Sequence, residues 1–337
     1  MHIPDGYLSP ETCAVGFAIA IPAIAIASRQ VVRQVKGRAV PKLAMLSAFS
    51  FLIMMFNLPI PDGTTAHAVG SALIAIVMGP AAAVIATAVA LLFQALIFGD
   101  GGVLSYGVNV VNMAVIMPLV ATLVNRLVAG QSPVGSARRI AAAAVAGYAS
   151  IVVASTAVGI ELGIQPALFH TADGTPLYNP YGLAAAVPAM LFAHLLIAGP
   201  AEAIITGAGY GFLARTGQLD EVASASSHLR TSPGLASLGV LAVLALLSPL
   251  GLIAQGTAFG EWGPDELGAQ LGGIPAGLEQ WSTLWTHALL PDYGFAQGEA
   301  PVAAYWLSAL VGSLIVAGFT YAVLWLVNRR RPAPAEA

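Results

Sequence analysis

The first two residues of the chain could form most of a metal-binding site by themselves. A free amino terminus followed by histidine offers three nitrogen donors, which are the Met1 amine, the His2 backbone amide once it is deprotonated, and His2 Nδ1. The amine and the amide close one chelate ring, and the amide and Nδ1 close another, so the three donors lie in one plane. A fourth nitrogen would complete the square-planar geometry that suits Ni(II) and Cu(II). The alternative is a frayed His2 that binds nothing.

His67 could supply that fourth donor. It lies in PIPDGTTAHAVGSAL, near the start of a predicted spanning segment and on the same outer side of the membrane as Met1. Pro59, Pro61 and Gly63 predict a stiff turn that could recess the start of this segment into the protein. An ionisable side chain at membrane depth is a functional candidate. The alternative is a structural histidine whose ring bonds to a neighbouring carbonyl.

The segment FGDGGVLSYGVNVVNMAV, at 98–115, carries three polar side chains that could support such a site. Asp100 and the glycines around it predict a tight outer turn. Asn109 and Asn112 follow one helical turn apart, and both amides should point into the protein because lipid offers them no partner. They could orient His67 or the N-terminal segment from outside the metal's ligand shell. They could instead serve only as hydrogen bonds between helices.

Two further polar residues lie within one long apolar segment, LFAHLLIAGPAEAIITG. His194 and Glu202 are eight residues apart, and Gly199-Pro200 between them predicts a kink. A proton relay or a coupling contact with a partner subunit on the cytoplasmic side is one interpretation. A buried, hydrogen-bonded structural pair is the other.

The composition defines the elements that must position these residues. Of 337 residues, 9% are charged and 58% are apolar, and the mean hydropathy is +0.82. A soluble domain carries about 25% charged residues, so a soluble enzyme, a nucleic-acid-binding protein and a disordered chain are excluded. One cysteine excludes a disulfide framework, a zinc finger and an iron–sulfur pattern. The predicted fold class is all-α, a polytopic bundle of membrane-spanning helices.

Apolar stretches of about 20 residues, the length that a spanning helix needs, recur along the chain. We predict nine spans, at 10–28, 42–58, 66–79, 81–98, 103–125, 139–160, 182–212, 233–254 and 301–327. The third is short and leads directly into Gly79-Pro80, which leaves open a tilted, broken or partly spanning segment.

The basic residues predict the orientation. All 13 Lys and Arg fall in alternate connections, and 12 of the 16 acidic residues fall on the opposite side. Cytoplasmic connections carry the excess of Lys and Arg, so the N-terminus is predicted outside and the C-terminus inside. Residues 1–9 have no basic region typical of a signal peptide, and we therefore expect the N-terminal segment to be retained.

The chain is predicted to comprise two units joined by a linker. Residues 1–215 hold seven spans, and 233–337 hold two spans and a long outer loop at 255–300 that is rich in Gly, Pro, Trp and acidic residues. The polar stretch 216–232 reads as a cytoplasmic linker. The acidic outer loop could raise the local cation concentration or could simply be hydrated.

Enzyme motifs are absent from the sequence. HExxH, GxSxG and GxxxxGK[ST] do not occur, so the chain is predicted to be a transport subunit and not an enzyme. An ATP-driven role would require ATP hydrolysis in a separate partner subunit. Lipid is the expected environment, and no nucleic acid is expected to bind.

Four segments together resemble a known family. MHIPDGYLSP, PIPDGTTAHAVGSALIAIVMGP and FGDGGVLSYGVNVVNMAV are similar to the CbiM/NikM family, the substrate-capturing components of energy-coupling-factor transporters for cobalt and nickel. SPLGLIAQGTAFGEWGPDEL and the last span resemble the small PDGLE-type companion component, CbiN/NikN, which here follows in the same chain. The resemblance covers nearly the whole sequence, and it is most specific at the N-terminus and around His67.

The resemblance implies a seven-helix component whose N-terminal segment tucks into the bundle. It implies that the metal is held by the Met1 amine, the His2 amide and imidazole nitrogens, and His67. Ala66 and Ala68 flank this histidine and depart from the residues common in the family, which alters the surroundings of the ligand but not the ligand itself. The implied partners are a transmembrane coupling subunit and ABC-type ATPase subunits.

The sequence thus predicts a component that captures Ni²⁺ outside the cytoplasmic membrane of a prokaryote, with Co²⁺ as the alternative substrate. Because the amine and amide must lose protons to bind the metal, affinity should fall in acid. A more distant alternative is a secondary transporter that uses His194 and Glu202 as a proton path. An intramembrane enzyme is a weaker rival, because no nucleophile–base pair is visible.

Overall fold

The computed structural model describes residues 1–37, 39–61, 64–219, 233–254, 256–295 and 298–329. In chain order its helices are α1 Pro10–Gln34, α2 Ala39–Met54, α3 Ser71–Met78, α4 Pro80–Phe98, α5 Tyr106–Ala129, α6 Ala137–Leu168, α7 Leu183–Arg215, α8 Gly234–Ile253, α9 Pro264–Leu271, α10 Ala276–Trp281 and α11 Pro301–Arg329. Within these described ranges, seven helices are long and apolar enough to cross a membrane, and α2 is a shorter apolar helix. The predicted all-α membrane bundle is therefore confirmed.

The third predicted span, 66–79, is not a continuous helix. α3 covers only eight residues, about 12 Å at 1.5 Å per residue, whereas the hydrocarbon core is about 30 Å thick. The chain before it is extended and includes a short antiparallel pair of strands, β1 Leu58–Ile60 and β2 Thr64–Ala66. Gly70 (φ 75°) and Gly79 (φ 89°) bound α3, and these left-handed glycines break the segment at both ends. The count of nine crossings stays a prediction.

The N-terminal unit is a bundle in which α6 packs against both α5 and α7, and α1 packs across α4 and α5. Gly16 and Gly107 allow α1 and α5 to approach so closely that a Cβ on either glycine would clash with the other helix. Three of the long helices contain a π-helical turn, at Gln94–Phe98, Val110–Ile116 and His194–Ala198. Such turns change which helix face the residues after them occupy. The turn at Val110–Ile116 does so for Asn112.

The C-terminal helices pack on the N-terminal unit. α11 runs along α2, where Gly312 lies against the ring of Phe51 with no room for a Cβ. α8 also contacts α2 and is tied to α11 by Trp306 Nε1, which donates to the Leu246 carbonyl at 2.9 Å. The stretch between α8 and α11, which includes α9 and α10, contacts the N-terminal segment, where the Tyr7 hydroxyl donates to the Trp262 carbonyl at 2.8 Å.

Several predicted features fall on residues outside the described part of the chain. These are Gly63 of the predicted turn, most of the predicted linker at 216–232, and the basic C-terminal end. The boundaries of the two units and the orientation in the membrane accordingly stay predictions.

Candidate metal site

The N-terminal segment is anchored inside the protein by Asp5. Its carboxylate accepts hydrogen bonds from the backbone N–H groups of Val103, Leu104 and Ser105 at 3.0, 2.8 and 3.1 Å. Burial raises the pKa of Asp5 above its ordinary value, and these three donors oppose the shift. Gly102 lies so close to the Asp5 carboxylate that a Cβ would clash with it. The turn before α5 thus holds the first residues of the chain against the bundle.

Asn109 holds the N-terminal segment at Ile3, which lies two residues before Asp5. Its Oδ1 accepts from the Ile3 N–H at 2.9 Å, and its Nδ2 donates to the Ile3 carbonyl at 3.1 Å. Ser105 Oγ and the Gly102 N–H donate to the same carbonyl at 2.6 and 3.0 Å. With both of its backbone groups paired, Ile3 directs the two preceding residues into the interior.

Met1, His2 and His67 meet in this interior. The Met1 amine lies 3.3 Å from His67 Nε2, and the His2 and His67 rings stack with centroids 4.8 Å apart. Each of the three residues is at most 3% exposed. A histidine binds a metal ion through its neutral imidazole.

The extended segment around His67 orients its ring. His67 Nδ1 lies 3.0 Å from the Ala68 carbonyl, so Nδ1 carries the proton in this hydrogen bond and Nε2 has its lone pair free. Nε2 is the nitrogen that faces the Met1 amine. Metal-binding histidines are usually held by a hydrogen bond of this kind, made by the ring nitrogen that does not coordinate the metal.

The C-terminal unit contributes two side chains to the same place. Glu261 Oε1 lies 3.0 Å from the Met1 amine. Tyr293 donates to Asp100 and accepts from Gln94 Nε2 at 2.7 Å, while Asp100 Oδ1 lies 3.0 Å from His2 Nδ1. Burial opposes ionisation of Asp100, but the adjacent His2 and the Tyr293 hydroxyl hold the pKa of Asp100 below its ordinary value. The Glu261 and Asp100 carboxylates therefore face the Met1 amine and the His2 imidazole, which could hold a cation.

The arrangement can offer a cation only a mixed donor set. Within the described ranges, no group of three or more His, Cys, Asp or Glu side chains could hold a metal ion. The terminal amine and the backbone amide of His2 would have to take part, as the chelate requires. Among the described residues, His2 Nε2 is buried with no hydrogen-bond partner, and the Asp100 carboxylate lies beside Nδ1. Buried polar atoms are seldom left unpaired, which makes this ring the clearest candidate ligand side chain.

Three other predicted site residues lie apart from this cluster. Asn112 donates to Glu161 Oε2 at 2.6 Å, because the π-helical turn that begins after Asn109 turns it to another face. His194 Nδ1 bonds to the Met190 carbonyl at 2.7 Å and makes no hydrogen bond to Glu202. Glu202 instead bonds to the backbone just after His67. Asn112 therefore lies in a hydrogen bond between helices, the second interpretation given for it above. His194 and Glu202 are each buried and hydrogen-bonded, but not to each other.

The two amides provide a matched pair of variants. Asn109→Ala should weaken Ni²⁺ binding about 10–100-fold, the usual cost of losing a partner outside the ligand shell, because Ile3 then loses two of its bonds. Asn112→Ala should leave the affinity of the folded protein unchanged. Titration of both purified variants with Ni²⁺ checks this. Equal affinities would show that Asn109 does not position the N-terminal segment.

Sequence reasoning did not single out Asp5, Glu261 or Tyr293 as site residues. Asp5 could have been found from its place in PDG, a turn sequence whose carboxylate often binds nearby backbone N–H groups. Glu261 and Tyr293 carry no such local signal, because their position depends on how a loop about 260 residues further along the chain is folded.

The fold and the buried cluster define a class of polytopic membrane protein in which the N-terminal segment inserts into the helix bundle. Residues 2–219 match the family described as CbiM, the cobalt uptake substrate-specific transmembrane region, and residues 234–329 match the PDGLE domain. The chain belongs to the CbiM family, with a PDGLE domain after the CbiM region. The predicted resemblance is thereby confirmed.

Two relatives match this chain along nearly their whole length. The fused nickel transport protein NikMN of Rhodobacter capsulatus is 45% identical over 94% of this chain and 96% of its own length. The probable fused nickel transport protein LarMN of Lactiplantibacillus plantarum is also 45% identical, over 94% and 95%. A crystal structure of a transition metal transporter is 48% identical, covers 68% of this chain and all of its own, and has a TM-score of 0.62.

Proposed function

We propose that the chain captures Ni²⁺ at the outer side of a prokaryotic cytoplasmic membrane, as the substrate-binding component of an ATP-driven energy-coupling-factor transporter. The observation that carries the proposal is the convergence of the Met1 amine, His2 and His67 in a buried space at the N-terminal segment. The fused relatives, both described as nickel transport proteins, support the choice of metal. Co²⁺ is the alternative substrate, because related transporters carry cobalt in their descriptions.

Four nitrogens in a plane favour nickel over cobalt by geometry, but they do not exclude copper. Cu²⁺ binds such a donor set at least as tightly as Ni²⁺ by the Irving–Williams order. We therefore expect Cu²⁺ to displace Ni²⁺ from the purified protein, and Co²⁺ to compete more weakly than Ni²⁺. Competition titrations against one chelator measure all three ions. Tighter binding of Co²⁺ than of Ni²⁺ would assign the site to cobalt.

The proposed partners are a transmembrane coupling subunit and ABC-type ATPase subunits. The sequence holds no nucleotide-binding GxxxxGK[ST] motif, so the energy for release of the metal inward has to come from another chain. We propose that this chain has no enzymatic activity of its own.

An uptake assay separates this proposal from a proton-coupled secondary transporter. Cells that express the chain with its partners should accumulate Ni²⁺, and deletion of the ATPase should abolish accumulation while the proton gradient persists. Uptake that survives the deletion and stops when the gradient is collapsed would favour the secondary transporter. The engagement of Glu202 in backbone hydrogen bonds, apart from His194, speaks against a proton path through these two residues.

A further inference from the structure

Glu202 is a buried carboxylate bonded to the backbone of the broken third segment. Its side chain is fully buried. Oε2 accepts from the N–H groups of Val69 at 2.7 Å and Gly70 at 3.0 Å, and Oε1 lies 3.1 Å from the Gly70 N–H. Thr206 Oγ1 adds a longer contact at 3.5 Å. No Lys or Arg of the described residues forms an ion pair with this carboxylate.

The position of these bonds explains how an extended segment can lie at this depth. Backbone N–H groups inside a membrane protein must find partners within the protein. The N–H groups of Val69 and Gly70 directly precede α3, where the positive end of the helix dipole also favours a carboxylate. On the other side of the segment, Ser50 Oγ donates to the Val69 carbonyl at 2.8 Å. The segment is thus held from α2 and from α7.

A backbone carbonyl could accept from either of these donors. A carboxyl side chain does more, because its two oxygens can accept several hydrogen bonds. It also binds two successive N–H groups at once, which fixes the orientation of both peptide planes. The bonded peptides begin two residues after His67.

The fixed backbone leads directly to the orientation of the His67 ring. The Ala68 carbonyl belongs to the peptide whose N–H, that of Val69, donates to Glu202. This same carbonyl bonds to His67 Nδ1 at 3.0 Å. Glu202 therefore holds the peptide that holds the ring, and the ring presents Nε2 to the Met1 amine at 3.3 Å.

We propose that Glu202 is a positioning residue for the metal site, which sets the direction of His67 Nε2 through the Ala68–Val69 peptide. The inference rests on the proposed function and deepens it. Because Glu202 is carried by α7, the same bonds tie the metal site to a helix that continues to Arg215 at its far end. Displacement of α7 would move the Ala68–Val69 peptide and, with it, the fourth ligand.

Copper provides the probe, because Cu²⁺ favours planar nitrogen sites and pulsed electron paramagnetic resonance counts its coordinated imidazoles. The purified full-length protein should show two imidazoles, those of His2 and His67. Glu202→Gln replaces one acceptor oxygen by an amide donor, which faces the Gly70 N–H at the Oε1 position and both N–H groups at the Oε2 position. We expect this variant to bind Ni²⁺ about 10–100-fold more weakly, the range for a partner outside the ligand shell, and to show one imidazole on copper.

Two further variants keep the test decisive. Glu202→Asp retains the carboxyl group and shortens the side chain by one methylene. This variant should also lose one imidazole signal on copper, and it tests the positioning role if Glu202→Gln does not fold. Thr206→Val keeps both carboxylate oxygens on the backbone and should match the wild type. Weaker binding with two imidazoles retained, or unchanged binding in both Glu202 variants, would overturn the positioning role. Fewer than two imidazoles in the wild-type protein would instead overturn the proposed ligand set.

Discussion

Extension of the chain by a few residues before Met1 is expected to abolish high-affinity Ni²⁺ binding. The extension moves the primary amine away from His2 and turns the Met1 nitrogen into an ordinary amide, so the chelate of amine, amide and imidazole cannot form. The added residues would also have to fit into the protein interior around Met1, which is only 2% exposed. Since the loss of one partner outside the ligand shell costs about 10–100-fold, the loss of ligands themselves should cost more than about 1,000-fold.

The best control is the same molecule with its native amino terminus restored. A protease site placed at the end of the extension allows removal of the added residues, and binding measured by calorimetry should return after cleavage. The same residues added after Ala337 should leave binding unchanged. Wild-type affinity in the extended, uncleaved protein would contradict any role for the terminal amine and would place the site elsewhere.

His67→Ala is expected to have the next largest effect. The substitution removes the fourth nitrogen and leaves the three donors of the N-terminal segment in place, so Ni²⁺ would have to complete its square with water. Binding should weaken by more than about 100-fold, beyond the range for partners outside the ligand shell. It also removes the ring that stacks on His2 at 4.8 Å, so some mobility of His2 should follow.

His170→Ala is the matched control for this variant. His170 lies in an exposed turn, where its Nδ1 bonds to the Thr171 carbonyl at 2.9 Å. Its loss should leave Ni²⁺ affinity unchanged in the same calorimetric titration. Equal affinities for His67→Ala and the wild type would remove the fourth donor from the proposal, while the chelate of Met1 and His2 would stand as a separate claim.

The chemistry of the candidate site was accessible from the sequence because it depends on few and local features. Amine, amide and imidazole belong to adjacent residues, so their chelate follows from covalent geometry alone. The charge distribution placed His67 on the same side of the membrane as Met1. The structure brings these three residues together, and the partner that it gives to Asn109 is one that the sequence had suggested.

Other parts of the fold depend on hydrogen bonds and helix irregularities that the hydrophobic periodicity of the sequence does not reveal. The apolar stretch 66–79 satisfies the composition of a span, yet the backbone is extended up to Gly70 because Ser50 and Glu202 supply the hydrogen bonds that a helix would otherwise make. Asn112 faces Glu161 because a π-helical turn adds a residue within one turn. Neither effect changes the hydrophobic pattern. Gly79-Pro80 had left a broken or partly spanning segment open at 66–79, but the change of face at Asn112 was not predicted.

Glu261 and Tyr293 reach the N-terminal residues from a unit that belongs to the same polypeptide. A separate subunit in this position would leave whenever its dissociation outpaced rebinding, and its occupancy would fall as the proteins became dilute. Covalent connection replaces that bimolecular equilibrium by an intramolecular one. Every copy of the protein therefore carries Glu261 and Tyr293 together with the N-terminal residues in a fixed one-to-one ratio, independent of expression level.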